Sequence, residues 1–140
     1  MNRDPGCIFC RIVAGEIPAF KLYEDSATLA FMDIAPLNPG HCLVISKAHA
    51  PDLYSSDPAD LAATVATTQR VARAVKAALA PDGLNLLQAN GKGAAQSVLH
   101  FHIHILPRRM GDEASLNWHP KPGDKAEIAA IADTIKRCLG

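Results

Sequence analysis

Three histidines alternate with apolar residues in the stretch 99–105, which reads LHFHIHI. Half of the six histidines in the chain, His100, His102 and His104, therefore occupy every second position. Side chains alternate between the two faces of a β-strand, so the pattern predicts a strand that presents the imidazoles in a row, about 6.5–7 Å apart. The opposite face is apolar and is expected to point into the core, which fixes the register because a slip of one residue would bury the imidazoles. That face consists of Leu99, Phe101, Ile103 and Ile105.

Two kinds of chemistry fit this row, besides a chance run of exposed histidines. An HxH pair on one strand face can chelate zinc. Alternatively, one imidazole can attack an electrophile as a nucleophile while its neighbours support it. The preceding loop ends in Gln96-Ser97 and offers backbone and side-chain hydrogen-bond donors. Such donors suit a phosphoryl group, whose charge lies on its peripheral oxygens, so the sequence favours catalysis at a phosphate.

The four cysteines divide into one close pair and two isolated residues. Cys7 and Cys10 form a CxxC pair, a spacing typical of metal binding or of redox chemistry. The thioredoxin-like βαβ context of a redox pair does not surround it, which favours a metal. Cys42 and Cys138 lie in apolar surroundings and are expected to be small buried hydrophobic residues.

Hydrophobic periodicity and turn signals predict the elements that must hold these side chains. We expect a short helix over 7–15, a hairpin of Lys21–Glu24 and Thr28–Asp33, strands at His41–Ser46, 84–89 and Val98–Leu106, a long helix over Asp57–Ala80 and a C-terminal helix over Gly123–Leu139. This order predicts a single α+β domain over 1–140, with an antiparallel sheet of about five strands and both the long and the C-terminal helix packed on it.

The long helix has the clearest signals. Asp57 is a good N-cap, and Pro58 occupies the first helical position. A stripe at helical spacing is expected to face the sheet; it consists of Leu61, Val65, Thr68, Val71, Val75 and Leu79. Small residues at Ala62, Ala66 and Ala74 would allow close approach, either of a second copy of the chain or of the sheet.

Composition removes several classes of function. The chain has 140 residues with fourteen basic and fourteen acidic side chains, so its charge gives no argument for nucleic acid or a membrane surface as partner. No run approaches the roughly 18 apolar residues of a membrane span. The segment MNRDPGCIFC has no apolar stretch of the signal-peptide type, and the cytoplasm is the expected location.

Several separated motifs resemble one known family. His100–Leu106 is similar to the H-φ-H-φ-H-φ-φ motif (φ, apolar) of the histidine triad superfamily, and its lead-in contains Asn90-Gly91 and Gln96-Ser97-Val98. The segments CIFCRIVAGEIP, AFMDIAPLNPGHCLVISKAH and NWHPKP are similar to those of the bacterial members, in the nucleotide-binding branch. One residue departs from the pattern: Ala95 stands where glycine is usual, and alanine is restrictive if that position needs a positive φ.

The resemblance implies chemistry at the α-phosphorus of a nucleotide. His102, the middle histidine, would be the nucleophile and would form a nucleotidyl-histidine intermediate that water hydrolyses. His104 and Ser97 would lie beside the phosphate and help a proton to reach the departing group. Gln96 would contribute its amide or its backbone N–H, and His41 would support His102 from the adjoining strand.

The resemblance also implies a purine nucleotide as ligand, such as AMP or GMP and its conjugates. Asn90 would bind the phosphate or the ribose side, and Asp33 the ribose hydroxyls, although Asp33 could instead be a turn residue. The purine walls would be Ile8, Phe9, Phe31 and Ile34, of which Ile8 and Phe9 could equally be ordinary core.

A structural zinc completes the implied site, while the chemistry itself needs no cofactor. Family members with the CxxC pair add two histidines, which here are His49 and His100 beside Cys7 and Cys10. The zinc would tie the N-terminal helix to the triad strand. In dimeric members a tail residue, here Trp118, reaches the partner's active site, so a homodimer is implied.

The function expected from the resemblance is that of a purine nucleotide hydrolase or nucleotidyl transferase of the nucleoside phosphoramidase type. Two alternatives remain open. The segment Leu106-Pro107-Arg108-Arg109 also occurs in dinucleoside polyphosphate hydrolases of the superfamily. A nucleotide-binding adaptor without catalysis is the second alternative.

Overall fold

The computed structural model describes residues 1–115 and 118–140. Along the chain, its elements are α1 (Ile8–Val13), β1 (Lys21–Glu24), β2 (Thr28–Met32), β3 (Cys42–Ser46), α2 (Pro58–Leu79), β4 (Gly83–Leu87), a short 3-10 helix (Lys92–Ala94), β5 (His102–Arg108) and α3 (Lys125–Cys138). Most of the predicted elements are therefore present, with ends that differ by a few residues.

The five strands form one antiparallel sheet in the order β1-β2-β3-β5-β4, which confirms the predicted α+β class. β3 lies in the centre, between β2 and β5, and all five of its residues are buried, as its continuous apolar pattern predicts. Its register with β5 places Leu43 opposite His104 and Ile45 opposite His102. The last two triad histidines, His102 and His104, therefore lie beside the central strand.

Each face of the sheet has its own core. On one face, α2 packs over Val44, Ile105 and neighbouring residues through Val71 and Val75. On the other face, α1 packs through Phe9 and Ile12 against a second apolar cluster. The strand residues of that second cluster are Leu29, Phe31, Leu43 and Ile45. The short N-terminal helix thus covers the face that carries the triad histidines.

The long helix begins as predicted and buries part of the predicted stripe, namely Thr68, Val71 and Val75. Asp57 accepts a hydrogen bond from the backbone N–H of Ala59 at 2.8 Å, and Pro58 is the first helical residue. Val65, predicted to face the sheet, is 57 % exposed, whereas Thr64 is fully buried. Thr64 is tolerated there because its hydroxyl donates to the carbonyl of Asp60 at 2.7 Å, which satisfies the buried oxygen.

The prediction for the triad strand was wrong at both ends. β5 begins at His102, so His100 precedes the strand, and Leu99 is exposed instead of facing the core. β5 also continues through Pro107. Pairing with β3 ends at Ile105, so Pro107 has a neighbouring strand only on the β4 side, and its missing N–H is tolerated on the open side.

The C-terminal helix forms, but it does not pack on the sheet as predicted. No residue of α3 is buried, and its apolar residues Ile128, Ile131 and Ile135 are more than half exposed. Cys138, predicted to be buried, is exposed for the same reason, whereas Cys42 is fully buried as expected. Of the tail segment NWHPKP, Asn117 lies outside the described residues and Trp118 is 70 % exposed. None of the helices in the described parts of the chain is long and apolar enough to cross a bilayer.

Candidate active site

A cavity of about 240 Å³ lies on the sheet face covered by α1. Its walls come from α1, the segment after α1, the end of β2, the start of β3, the loop before the triad and β5 itself. The lining residues are Ile8, Phe9, Ile12, Ile17, Pro18, Ala19, Phe31, Met32, Asp33, Ile34, Leu43, Ser97, Val98, His102 and His104. The cavity is therefore apolar on one side and carries two imidazoles, a hydroxyl and a carboxylate on the other.

The ring of His102 is fixed by a backbone group. Its Nδ1 lies 2.6 Å from the carbonyl oxygen of His100. A carbonyl only accepts hydrogen bonds, so Nδ1 carries the proton and Nε2 keeps its lone pair. Phe9 packs edge-on against the ring, with the centroids 5.2 Å apart, and His102 is only 3 % exposed. The middle histidine thus presents a nucleophilic nitrogen from a fixed position on the cavity wall.

A second chain of hydrogen bonds fixes His104. The backbone N–H of Leu37 donates to Nδ1 of His41 at 3.0 Å, so the proton of neutral His41 lies on Nε2. That Nε2 lies 2.8 Å from Nδ1 of His104 and 3.4 Å from Oδ2 of Asp33. His104 therefore accepts at Nδ1 and carries its own proton on Nε2, where it is a hydrogen-bond donor.

His41 supports the third triad histidine rather than the second. The sequence analysis placed it beside His102, but the β3–β5 register pairs Ile45 with His102 and Leu43 with His104. Antiparallel pairing therefore carries His41, which precedes β3, toward the far end of the triad. Gly40 in front of it has φ 93°, and a Cβ there would clash with Cδ1 of Leu79 and lie 3.2 Å from Cγ of Pro107.

Asp33 makes the turn contact that the sequence left open and also lies on the cavity wall. Its Oδ1 accepts from the backbone N–H of Ala35 at 2.8 Å, which is a turn contact. Its Oδ2 faces His41, and the residue lines the cavity. One carboxylate oxygen therefore holds the loop after β2, while the other is available to His41 or to a ligand hydroxyl.

The four predicted purine-wall residues all line the cavity. Phe9 and Phe31 are buried and pack edge-on with centroids 5.4 Å apart, so they also belong to the core. Ile8 and Ile34 are 48 % and 86 % exposed, which leaves apolar surface at the rim of the cavity. Sequence reasoning missed other apolar lining residues because ordinary core patterns give no signal for a cavity; these are Ile17, Ala19, Leu43 and Val98.

Of the lead-in residues, Ser97 and Val98 line the cavity, whereas the side chains of Gln96 and Asn90 make other contacts. The side chain of Gln96 spans the loop, accepting from Gly91 N–H at 2.8 Å and donating to the carbonyl of Pro51. Asn90 exchanges hydrogen bonds with Gln88 and accepts from the N–H of Leu53 at 2.8 Å. In the described chain these two amides brace the loop rather than face the cavity.

Ala95 adopts the conformation that the missing glycine would favour. Its φ is 62° and its ψ is 32°, in the left-handed region, where it ends the short 3-10 helix. A Cβ is unfavourable in this region by roughly 1–2 kcal/mol. The departure from the family pattern is therefore a point of backbone strain beside the site.

Burial keeps the imidazoles neutral. It lowers the pKa of His104 from 6.5 to about 4, with smaller effects from the neighbouring His102 and His41. Burial also lowers the pKa of His102, against the hydrogen bond to the carbonyl of His100. It lowers the pKa of His41 too, against the charge of Asp33. The lone pair on Nε2 of His102 is consequently available at neutral pH.

The four predicted metal ligands meet in one cluster at the N-terminal end of the triad. Nδ1 of His100 lies 3.4 Å from Sγ of Cys7, 3.6 Å from Sγ of Cys10 and 3.3 Å from Nδ1 of His49. A tetrahedral zinc with ordinary bond lengths separates nitrogen from nitrogen by about 3.3 Å and nitrogen from sulfur by about 3.6 Å. The spacing of the donor atoms therefore fits a tetrahedral Cys₂His₂ site.

The protonation of the cluster also fits a metal. Nε2 of His100 lies 2.7 Å from the carbonyl oxygen of Ser46 and so carries the ring proton, which leaves Nδ1 as a ligand atom. The backbone N–H of Asp4 donates to Sγ of Cys10 at 3.3 Å. Burial raises the pKa of the Cys10 thiol, so a metal would displace a proton on binding there. These residues can hold a metal ion.

Antiparallel sheet, triad and apolar cavity together define the class of the protein as a histidine triad fold. Residues 14–111 match the HIT domain family, and the chain belongs to that family. The solved structure of a HIT family protein from Bacillus anthracis superposes with a TM-score of 0.91, at 37 % identity over 97 % of this chain and 99 % of that one. A zinc-bound histidine triad family protein from Mycobacterium smegmatis superposes with a TM-score of 0.74, at 40 % identity over 94 % and 97 % of the two chains.

Two relatives carry names that describe an activity. Adenosine 5'-monophosphoramidase hnt1 of Schizosaccharomyces pombe is 38 % identical over 92 % of this chain and 95 % of its own length. Adenylylsulfatase HINT3 of Arabidopsis thaliana is 39 % identical over 95 % of this chain and 69 % of its own length. These names support a nucleotide hydrolase of the HIT family.

Proposed function

We propose that the protein hydrolyses purine nucleoside phosphoramidates at the α-phosphorus through a nucleotidyl-histidine intermediate. The observation that carries the proposal is the bond from Nδ1 of His102 to the carbonyl of His100, which leaves a neutral Nε2 in the wall of the cavity. The names of the two relatives support adenosine conjugates as substrates.

The first half-reaction transfers the nucleotidyl group to the protein. The lone pair on Nε2 of His102 attacks phosphorus, and the bond from phosphorus to the leaving nitrogen breaks on the opposite side. The departing amine needs one proton. We assign it to His104: the negative phosphate beside the ring raises the pKa of His104, so that the ring takes up a proton when substrate binds, and Nε2 then delivers one proton to the departing amine and leaves His104 neutral. Ser97 donates to a phosphate oxygen.

The second half-reaction releases the product. Water attacks phosphorus, the bond to Nε2 of His102 breaks, and the ring leaves as neutral imidazole. The proton of the water passes to His104, which restores the starting state. The purine lies between Ile8, Phe9, Phe31 and Ile34, and Asp33 accepts from the ribose hydroxyls.

The contacts of two arginines weigh against the polyphosphate alternative. The guanidinium of Arg108 forms a bidentate pair with Asp112, at 2.8 and 2.9 Å. Arg109 donates to the carbonyl of Ala80 at 2.7 Å. Both side chains therefore brace the chain after β5 instead of presenting charge to a second phosphate chain.

We also propose that the protein holds a structural zinc, forms a homodimer and is located in the cytoplasm. The Cys₂His₂ cluster would hold a structural zinc, as the spacing of its donor atoms and the zinc-bound neighbour support. Edge strand β4 exposes about half of Leu86 and Leu87, and α2 exposes Ala62 and Ala66; these exposed small and apolar residues support a second copy of the chain as partner. Two metal-binding thiols fit a reducing compartment.

Mass spectrometry of the intact protein tests the mechanism. Rapid acid-free quenching during turnover of adenosine 5'-phosphoramidate should reveal an adenylyl adduct, and peptide mapping should place it on His102. The matched variant His102→Asn should bind AMP without forming the adduct. If wild-type protein binds AMP but neither forms an adduct nor turns over the substrate, the adaptor alternative is correct.

A further inference from the structure

The N-terminal helix α1 serves two sites at once. Cys7, its N-cap, and Cys10 on its first turn are members of the Cys₂His₂ cluster. Ile8, Phe9 and Ile12, which alternate with them along the same helix, form one wall of the cavity. Since the helix is only six residues long, the two sets of side chains cannot move independently.

His100 links the same two sites through its backbone. Its ring lies in the cluster, where Nδ1 faces the sulfur atoms and Nε2 is bound to Ser46. Its carbonyl oxygen accepts the proton of Nδ1 of His102 at 2.6 Å. Phe9 contacts both rings, with centroids 5.8 Å from His100 and 5.2 Å from His102. The position of the cluster therefore sets both the carbonyl and the aromatic ring that hold the nucleophile.

Apart from the Cys₂His₂ cluster, the contacts that hold α1 in place are mainly those of Phe9 and Ile12. Its N-cap makes no side-chain hydrogen bond to the helix, and helices this short are unstable without tertiary contacts. Besides the cluster, its attachment depends on the burial of Phe9 and Ile12 against the sheet. Ile8 is half exposed and contributes little to that attachment.

We propose that the Cys₂His₂ cluster controls the nucleotide cavity: metal occupancy positions the wall formed by α1 and the ring of His102, and metal loss weakens nucleotide binding. The part that concerns nucleotide rests on the function proposed above. The part that concerns α1 does not, because the order of the helix is measurable without any ligand. The cluster thus has a role in binding in addition to its role in stability.

Hydrogen exchange on the ligand-free protein tests the positional part. Zinc-loaded and chelator-treated protein are compared at a temperature where both remain folded by circular dichroism. The amides of Arg11 and Ala14, which bond to the carbonyls of Cys7 and Cys10, should exchange at least about tenfold faster without metal. Amides of α2, on the other face of the sheet, should change little.

AMP titration by calorimetry tests the binding part. Removal of zinc, or the substitution Cys10→Ser, should raise the Kd for AMP by about tenfold or more, the effect of losing an apolar wall contact. Cys42→Ser is the matched control, because Cys42 is equally buried but lies in the core under α2. It should lower stability and leave the Kd within about twofold.

Three results would overturn the proposal. The first is unchanged exchange in α1 after metal removal. The second is equal AMP affinity of the zinc-loaded and metal-free protein, and the third is an equal loss of affinity in Cys42→Ser. A zinc-loaded protein that binds no AMP at all contradicts the proposed function instead, and the exchange measurement then still decides the role of the cluster in ordering α1.

Discussion

Two clusters of similar residues lie at opposite ends of the triad and behave differently. Cys7, Cys10, His49 and His100 bring their ligand atoms within 4.8 Å of one another, and four of the six separations are 3.3–3.6 Å. Asp33, His41 and His104 are also close, but the two imidazoles lie at hydrogen-bond distance, 2.8 Å apart. The first cluster leaves a gap that fits a metal, and the second forms a hydrogen-bonded chain between its rings.

The difference arises from the second nitrogen of each ring. A backbone carbonyl binds Nε2 of His100, which frees Nδ1 as a metal ligand, whereas a backbone N–H binds Nδ1 of His41, which places its proton on Nε2. Identical side chains thus become ligand or donor according to the main-chain group they touch. His102 lies between the clusters, and its hydrogen bond to the carbonyl of His100 leaves the lone pair on Nε2, as the proposed nucleophile requires.

The largest effect is expected from substitution of His102, the proposed nucleophile, which belongs to neither cluster. His102→Asn should lower kcat on adenosine 5'-phosphoramidate by about 10³-fold or more, since no other group there can attack phosphorus. Zinc content and Tm should stay close to those of the wild type, because His102 belongs to neither cluster. Stopped assays, metal analysis and thermal melts check this, and residual turnover above a tenth of the wild type would contradict it.

Substitutions in the Cys₂His₂ cluster should mainly lower the stability of the protein. Cys7→Ser combined with Cys10→Ser should abolish zinc binding and lower the free energy of unfolding by about 4 kcal/mol or more, the range expected for loss of a structural metal. Metal analysis and urea unfolding measure the two quantities. Retention of one zinc per chain in the double variant would place the metal on other ligands, such as the triad itself.

Substitutions in the cluster of Asp33, His41 and His104 should lower kcat more than they lower stability. His41→Ala removes the donor to Nδ1 of His104 and is expected to lower kcat by about 10²-fold, the usual contribution of proton transfer by a positioned group. Asp33→Asn keeps the turn contact to Ala35 and should mainly raise KM. Equal effects of both variants on kcat alone would argue against separate roles for these residues.

Acid should reveal the burial of His104. Its pKa is about 4 in the folded chain and 6.5 in the unfolded one, so the unfolded chain takes up the proton first as the pH falls. The free energy of unfolding should therefore decrease from about pH 6.5 down to about pH 4, and His104→Asn should flatten this decrease. Urea unfolding at a series of pH values measures both slopes, and identical slopes would contradict the burial effect.

The smallest effect concerns the strained loop that leads to the triad. Ala95→Gly should raise stability by about 1 kcal/mol, since glycine adopts the left-handed region without the Cβ penalty. Ala80→Gly is the matched control, because Ala80 has φ 44° at the end of α2, far from the cavity wall. Both variants should gain stability, and only Ala95→Gly should also change KM.

The period-two histidines and the CxxC pair are patterns that few structural roles produce, so the sequence alone singled out the triad and two candidate metal ligands. The other candidate site residues followed only from the resemblance to the family. The sequence could not predict which of these residues contact one another. The partner of His41 depends on the register of β3 against β5, which is set by the packing of both sheet faces. His100 was assigned to a strand because it continues the alternation, yet its ring and its carbonyl are both engaged before the strand begins.

The C-terminal helix shows that a local sequence pattern can predict a helix without predicting what it packs against. Ile128, Ile131 and Ile135 make a genuine apolar stripe, and the helix forms, but a stripe does not state which surface lies opposite. The threonines of α2 show the converse: Thr64 and Thr68 are buried because each hydroxyl bonds to the carbonyl four residues earlier. The predicted stripe included Thr68 but omitted Thr64, because polarity alone does not show that a hydroxyl can be satisfied within the helix.

Gly40 gives the site a dependence on the rear of the sheet. The residue immediately before His41 adopts φ 93°, where a residue with a Cβ is strained, and a Cβ there would also meet Cδ1 of Leu79 in the last turn of α2. A substitution at Gly40 would therefore strain the backbone that leads into His41 and require the side chain of Leu79 to move. The end of α2, which does not line the cavity, is in this way packed behind the turn that positions one of the imidazoles.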